Sequence, residues 1–205
     1  MTDMAAAPMW DRRYDTTEYV FGTEPAEFLP RYRDRLEAGA ETLVVADGEG
    51  RNSVYLAELG LRVTAMDVSD VGVEKARNLA TERGVAVDFR VADILTWNWE
   101  PEAYDLVVAV FIQFLDPQQR ATVFEGMQRT LRPGGRLLLH GYTVEQLGHG
   151  TGGPPLASHL YDEALLADAF SDLDIEVLRA YEQTIQEGPG HAGMSALVDL
   201  VAIKP

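Results

Sequence analysis

The sequence predicts an α/β fold: a doubly wound, mostly parallel, seven-stranded sheet that ends in an antiparallel hairpin. Three observations carry this. Beyond about residue 40, short β-rich runs alternate with segments of helical periodicity, the pattern of a parallel sheet with helices on both faces. The run at 104–110, YDLVVAV, is almost uniformly apolar, as a strand buried on both faces should be. The last two β-rich runs, 174–183 and 195–203, are separated by a glycine-rich turn without a helix, which predicts antiparallel neighbours.

The elements follow in order. Residues 42–46 form a short apolar run, read as the first strand, and a glycine-rich turn leads into a helix over 52–59 that stops at Gly60. Residues 62–67 are the second strand. Ser69 or Asp70 can cap a helix that runs to Arg83 and stops at Gly84. Residues 85–91 are the third strand and 104–110 the fourth. Asp116-Pro117-Gln118-Gln119 is a helix start, with an N-cap, Pro at the first helical position and Gln three residues after the cap. Phe124, Met127 and Leu131 share one face of that helix, which ends at Pro133-Gly134-Gly135. The fifth strand is 136–140. The Gly- and Pro-rich stretch 141–161 is expected to be a long loop, and such loops in compact domains are usually functional. A helix over 162–170 precedes the final hairpin. The first forty residues carry Trp10, Tyr14, Tyr19, Phe21, Phe28 and Tyr32 without a strand pattern. They are expected to form a helical or irregular arm packed over a single domain that spans 1–205.

Composition narrows the chemistry. The chain has 205 residues, enough for one sizeable core, and 46% of them are hydrophobic. It has no cysteine, which excludes disulfides, thiolate nucleophiles and Cys-based metal sites. Its net charge of -16 repels phosphate backbones, so no nucleic-acid partner is expected, while a cationic ligand is tolerated. The reading of Met1 to Met9, which has Asp3 and no Lys or Arg, is that it lacks a signal-peptide n-region. No apolar run approaches the roughly 18 residues of a membrane helix. A cytoplasmic protein with no membrane partner is expected. The four His have no H-E-x-x-H or similar spacing, so no metal site is expected.

The strongest chemical signal is Ala46-Asp47-Gly48-Glu49-Gly50-Arg51-Asn52, between a strand and a helix. Glycines there let a ligand approach the backbone, and a helix N-terminus offers N–H groups to a carboxylate. Asp67 ends the next strand, nineteen residues after Gly48, where an acid can accept both hydroxyls of an adenosine ribose. After the third strand, Asp93 can accept from an adenine amino group while Ile94 packs on the ring. Residues 109–114 follow the fourth strand, on the end of the sheet that faces a ligand crevice.

These residues resemble those of class I S-adenosylmethionine (SAM)-dependent methyltransferases. The string VVADGEGRNSVYLAELG…VTAMDVS…VEKAR is similar to that family's first two motifs, YDLVVAVF to its fourth, and LRPGGRLLL to its turn into the fifth strand. WDRRYDTTEYVFGTEPAEFL and YTVEQLGHGTGGPP resemble the branch related to tellurite-resistance and thiopurine methyltransferases. The likeness spans Trp10 to Lys204. It departs where many members place an acid and a glycine and this chain has Val44 and Ala46; the acid here is Asp47. The resemblance implies a Rossmann-like methyltransferase fold, SAM as cofactor and S-adenosylhomocysteine (SAH) as product. It further implies that Asp47, Gly48, Gly50 and Asn52 surround the methionine part, that Asp67 and Val68 hold ribose and adenine, and that Asp93 and Ile94 hold adenine. By the same resemblance Ala109, Phe111 and Phe114 wall the pocket, and Trp10, Tyr14, Phe21 and Gly22 close over the cofactor.

Two rival functions share the site. A nicotinamide-dependent oxidoreductase would use Gly48, Gly50 and Asp67, but the third glycine of its fingerprint falls at Ser53 and no Tyr-x-x-x-Lys is present. A non-catalytic SAM-binding regulator is open because methyl transfer requires no obligatory residue. For the enzyme, the expected acceptor is a small molecule, with a thiol, a chalcogen oxyanion or another soft nucleophile in view, which would need no general base; a neutral amine or hydroxyl would need one. Acceptor-side candidates are Gln113, His140, Tyr142 and His191, with His149, Tyr161 and Glu187 nearby on the same loops.

Overall fold

A computed structural model describes residues 7–188 and 190–205. The first six residues of the expected arm, and most of the Met1–Met9 reading, lie outside them. The chain divides into two compact units, 1–97 with 187–190, and 98–186 with 191–205. Together they supply the seven strands of a mostly parallel sheet with antiparallel C-terminal members. This is the fold class expected.

In the first unit, helix α1 (Ala7–Tyr14) and the single turn α2 (Phe28–Arg31) form the arm. Strands β1 (Glu41–Val45), β2 (Arg62–Asp67) and β3 (Asp88–Val91) pair in parallel, in the order β3-β2-β1. The register Val45↔Met66 and Asp67↔Val91 brings the carboxyl ends of all three to one edge. Helices α3 (Arg51–Glu58) and α4 (Asp70–Arg83) are the crossovers. Ser69 caps α4 by accepting from Gly72 N–H, and Gly84 closes it in the left-handed conformation. Leu43, Val44, Val45, Leu56, Ala65, Met66 and Leu79 are buried to form the core. The third strand is shorter than 85–91, because residues 85–87 take no strand pairing.

In the second unit, β4 (Tyr104–Val110) runs parallel to β5 (Leu131–Tyr142), which pairs antiparallel with β7 (Ala192–Ile203), itself antiparallel to β6 (Asp174–Gln186). Helix α5 (Pro117–Thr130) starts at Asp116 with a complete capping box, as its sequence predicts. Helix α6 (Glu163–Ala169) is capped by Asp162. The fifth strand begins five residues before the predicted start, since Leu131 pairs with Tyr104 across a register shift. The hairpin strands also extend past 183 and before 195. The stretch 141–161 is less irregular than its composition suggests. It holds two short 3-10 turns, Val144–Gly148 and Ala157–His159, and is closed by a bridge between Thr143 and Tyr161. Among the described residues no helix is long and apolar enough to cross a membrane.

Candidate functional site

The glycine loop after β1 is built from left-handed residues at alternate positions: Ala46 (φ 49°), Gly48 (62°) and Gly50 (91°). Ala46 stands where the resemblance places a glycine, and it adopts the glycine conformation at a cost of about 1–2 kcal/mol. The tight path lets Asp47 N–H reach Met66 O at 3.0 Å and Gly48 N–H reach Asp67 Oδ2 at 2.8 Å. A Cβ at Gly50 would stand 2.6 Å from Ala76 Cβ on α4, and one at Gly48 2.7 Å from the Tyr14 hydroxyl. Neither position has room for a side chain. Gly50 opens α3, and the Asp47 carboxylate accepts from Ser53 Oγ (2.5 Å) and, at 3.3 Å, from Ser53 N–H.

Asp67 ends β2 with its carboxylate fixed by two amides, Gly48 N–H on Oδ2 and Ser69 N–H on Oδ1 at 2.9 Å. Burial pushes its carboxyl up, against the pull of those amides. Burial likewise pushes Asp47 up to about 7, opposed by the Ser53 bonds and aided by the nearby Asp67 charge. Burial, then the charges of Asp67 and Glu49, push the Tyr14 phenol well above its ordinary value. Val68, beside Asp67, is half-buried. Asp93 accepts from Leu95 N–H at 2.9 Å in the turn after β3, Ile94 is buried, and Ala92 N–H ties this turn to Asp67 O at 2.8 Å.

The arm is docked on this loop by Glu49, Lys75 and Asp11, to which sequence reasoning gave no role, and by Asn52 and Glu187, for which it expected ligand-side roles. Glu49, buried inside the Gly48-x-Gly50 loop, accepts from Val20 N–H (2.8 Å) and Phe21 N–H (3.3 Å) through Oε2 and pairs with Lys75 Nζ at 2.5 Å through Oε1. Lys75 Nζ donates in turn to the carbonyls of Tyr14, Thr16 and Glu18 at 3.2, 3.1 and 2.7 Å. Asn52 Oδ1 accepts from Ala26 N–H (3.0 Å), and Glu187 accepts from Glu27 N–H (2.9 Å) while pairing with buried Arg51 at 2.8 Å. Asp11 accepts from Ser69 Oγ at 2.6 Å. The rings of Trp10, Tyr14 and Phe21 stack in sequence, Trp10 on Tyr14 at 5.5 Å and Tyr14 edge-on to Phe21 at 6.3 Å. Gly22 (φ 72°) meets Gly188 backbone to backbone: a Cβ at Gly188 would stand 2.5 Å from Gly22 N. Of the expected site residues, Trp10, Tyr14, Phe21, Gly22, Asp47, Gly48, Gly50, Asn52, Asp67, Val68, Asp93 and Ile94 all belong to this first unit. Asn52 and Glu187 spend hydrogen bonds on the arm backbone.

The acceptor-side candidates belong to the second unit. Gln113 is buried and commits its amide to Tyr142, donating to its carbonyl at 2.8 Å and accepting from its N–H at 2.6 Å. That makes Gln113 a clamp on the end of β5. His140, in β5, contacts Asp199 of β7 at 2.8 Å between Nδ1 and Oδ1. Phe111 follows β4 at φ 56° and lies 4.8, 4.7 and 4.3 Å from the rings of His140, Tyr142 and His191. Ala109 is fully buried within β4, and Phe114 is half-buried. His149 stands apart from this cluster, on Glu182 at 3.0 Å. Among the described residues no group of three His, Asp or Glu is arranged to hold a metal.

Comparison with known proteins bears on the chemistry. Residues 43–135 match the family model described as a methyltransferase domain. A ubiquinone biosynthesis O-methyltransferase of Xanthomonas euvesicatoria pv. vesicatoria is 37% identical over 107 residues, covering 51% of this chain and 44% of that protein. The chain thus spans under half the length of this curated relative. Among solved structures, the N-methyltransferase NodS of Bradyrhizobium japonicum, in complex with SAH, superposes with TM-score 0.69 at 17% identity, over 97% of this chain and 98% of that one. TehB of Haemophilus influenzae superposes with TM-score 0.70 at 18% identity, over 97% and 67%. At these identities the likeness is one of fold, so TehB does not establish the narrower tellurite-resistance branch. Over residues 43–135 the chain is thus similar to methyltransferase domains.

Proposed function

Starting from that similarity, we propose that the chain transfers the methyl group of SAM to a small-molecule acceptor, with residues 1–205 working as one domain and 1–40 as an arm over the cofactor loop. The observation that carries this is Asp67: a buried carboxylate at the carboxyl end of β2, held by the Gly48 and Ser69 amides. Each of its oxygens has a second lone pair for the two hydroxyls of a ribose. The residues therefore fit the cofactor. When bound, SAM supplies a methyl carbon already activated by its positive sulfur.

This chain's residues then bind and orient. In the reading we favour, Asp67 and Val68 hold the ribose and adenine, and Asp93 and Ile94 the adenine. Asp47, Gly48, Gly50 and Asn52 surround the methionine part. Trp10, Tyr14, Phe21 and Gly22 exclude water from above. The roles of Ala109, Phe111 and Phe114 as pocket walls rest on the family resemblance. Alignment of acceptor and methyl group can by itself supply roughly 7–11 kcal/mol.

Isothermal titration tests the reading. SAM and SAH should bind and NAD should not; micromolar NAD affinity without SAM affinity would sink it. Labelled SAM, offered with small thiols, tellurite, selenite, halides and hydroxylated aromatics, then identifies the acceptor class.

A further inference from the structure

Within the first unit, the packing around Tyr14 uses its ring and leaves its hydroxyl over. Tyr14 ends α1 and is 4% exposed. Its ring lies in a notch made by two glycines. A Cβ at Gly72, in the first turn of α4, would stand 3.0 Å from the ring edge, and one at Gly48 2.7 Å from the hydroxyl oxygen. A glycine inside a helix is unfavourable relative to alanine, so α4 gives up stability at Gly72 to admit this ring. Trp10 stacks on the ring and Phe21 meets it edge-on. Phenylalanine would make all of these contacts. They do not explain the hydroxyl, which has no hydrogen-bond partner among the described residues. A buried polar group without a partner costs free energy, and such groups are rare in folded proteins.

The arm does not need that hydroxyl to stay in place. Ser69 Oγ donates to Asp11, Lys75 takes the Tyr14 carbonyl, and Glu49 takes the Val20 and Phe21 amides. The hydroxyl points instead at the glycine loop. Gly48, the residue it abuts, is also the one whose N–H donates to Asp67 Oδ2 at 2.8 Å, so phenol and carboxylate flank the same residue. Burial, and then the charge of Asp67, push the phenol well above its ordinary value. It therefore keeps its hydrogen and remains a donor.

We infer that the Tyr14 hydroxyl completes the ribose subsite of the cofactor, donating to a ribose hydroxyl that itself donates to Asp67. This rests on the methyltransferase reading and adds to it a specificity-determining residue from the arm. A ribose hydroxyl has one hydrogen and two lone pairs. Once Asp67 has accepted the hydrogen, a lone pair is left for a donor, and the phenol beside Gly48 is that donor. An analogue that lacks the hydroxyl leaves both phenol and carboxylate unpaired, and a buried site rejects such an analogue strongly. The arm thereby closes over a ribonucleoside in preference to a deoxyribonucleoside. The ribose supplies the partner that the chain itself does not, and a ligand shifts a closure only through such differential contacts.

Tyr14→Phe keeps the ring and removes only the oxygen. In isothermal titration of the full-length protein it should weaken SAH binding roughly 2- to 12-fold, the worth of one neutral hydrogen bond. The 2′-deoxy and 3′-deoxy analogues of SAH locate that bond. Each should bind the unsubstituted protein less tightly than SAH does. For one of them Tyr14→Phe should cause no further loss, because the bond is already missing. Without ligand, Tyr14→Phe should be at least as stable to urea as the unsubstituted protein, since it removes a buried hydroxyl that has no partner. A hydroxyl that serves only the fold would give the opposite sign. A Tyr14→Phe protein that is less stable without ligand or does not fold, an unchanged SAH affinity, or an equal loss for SAH and both analogues overturns the inference. Failure of the unsubstituted protein to bind SAH overturns the methyltransferase reading instead.

Discussion

Glu49→Gln is the substitution that most directly asks what holds the arm. The carboxylate does two things at once: Oε2 receives the Val20 and Phe21 amides, and Oε1 pairs with Lys75, which grips three arm carbonyls. Hydrogen bonds to a charged group are worth about 1.5–3 kcal/mol and neutral ones about 0.5–1.5. Breaking a fully buried pair costs about 3–5 kcal/mol. Lys75 is 13% exposed and keeps its carbonyl partners, so the loss falls at or below the lower end of this range. A loss of about 2–3 kcal/mol should raise the opening constant of the arm roughly 30- to 150-fold. Amide hydrogen exchange at Val20 and Phe21 reads this out, with exchange in β4 as an internal control. Saturating SAH should restore part of the protection, because Glu49 sits in the loop proposed to receive the cofactor. Identical exchange at both amides in the two proteins would refute the clamp. The same measurement on residues 8–28 of the unsubstituted protein decides between a lid and permanent core. A lid exchanges fast when empty and is protected by SAH, whereas equal strong protection in both states means core.

Asp67→Ala should weaken SAH binding by roughly ten- to a hundredfold by titration while leaving the protein folded, and an unchanged affinity would remove the ribose assignment. Asp47 titrates near 7 when folded and near 3.8 when free, so the folded state binds more protons between those values and loses stability as pH rises through them. Asp47→Asn should therefore gain stability over the unsubstituted protein from pH 4 to pH 7, by about 4 kcal/mol at most; a constant urea-midpoint difference across that range would contradict this. Gly126→Ala in α5 places a Cβ about 2.5 Å from the Trp99 ring. Overpacking of about 1–3 kcal/mol should outweigh the roughly 1 kcal/mol that Ala gains over Gly in a helix. A variant more stable to urea than the parent would show that Trp99 moves aside freely.

What the sequence determined by itself are features whose cause is local. The Asp116 capping box and Pro117 start α5 where they predict, because a cap needs only its own next three residues. The alternation of β-rich runs and helices yields the strand count and the parallel order of β1 to β3, because the period of apolar residues decides strand or helix within a few positions. Asp67 was legible from its spacing to Gly48, since strand, turn and helix have fixed lengths. Boundaries at Leu131, Gln186 and Ala192 were not, because β5, β6 and β7 extend as far as a neighbour offers hydrogen bonds. Only the tertiary structure decided which charges meet. Glu49 and Lys75 lie 26 positions apart, Arg51 and Glu187 136, and His140 and Asp199 59. No sequence periodicity pairs residues at such separations. Each pair is made when chain crossings and strand register exclude water from both groups, so that a carboxylate left without its partner would carry the full cost of burial.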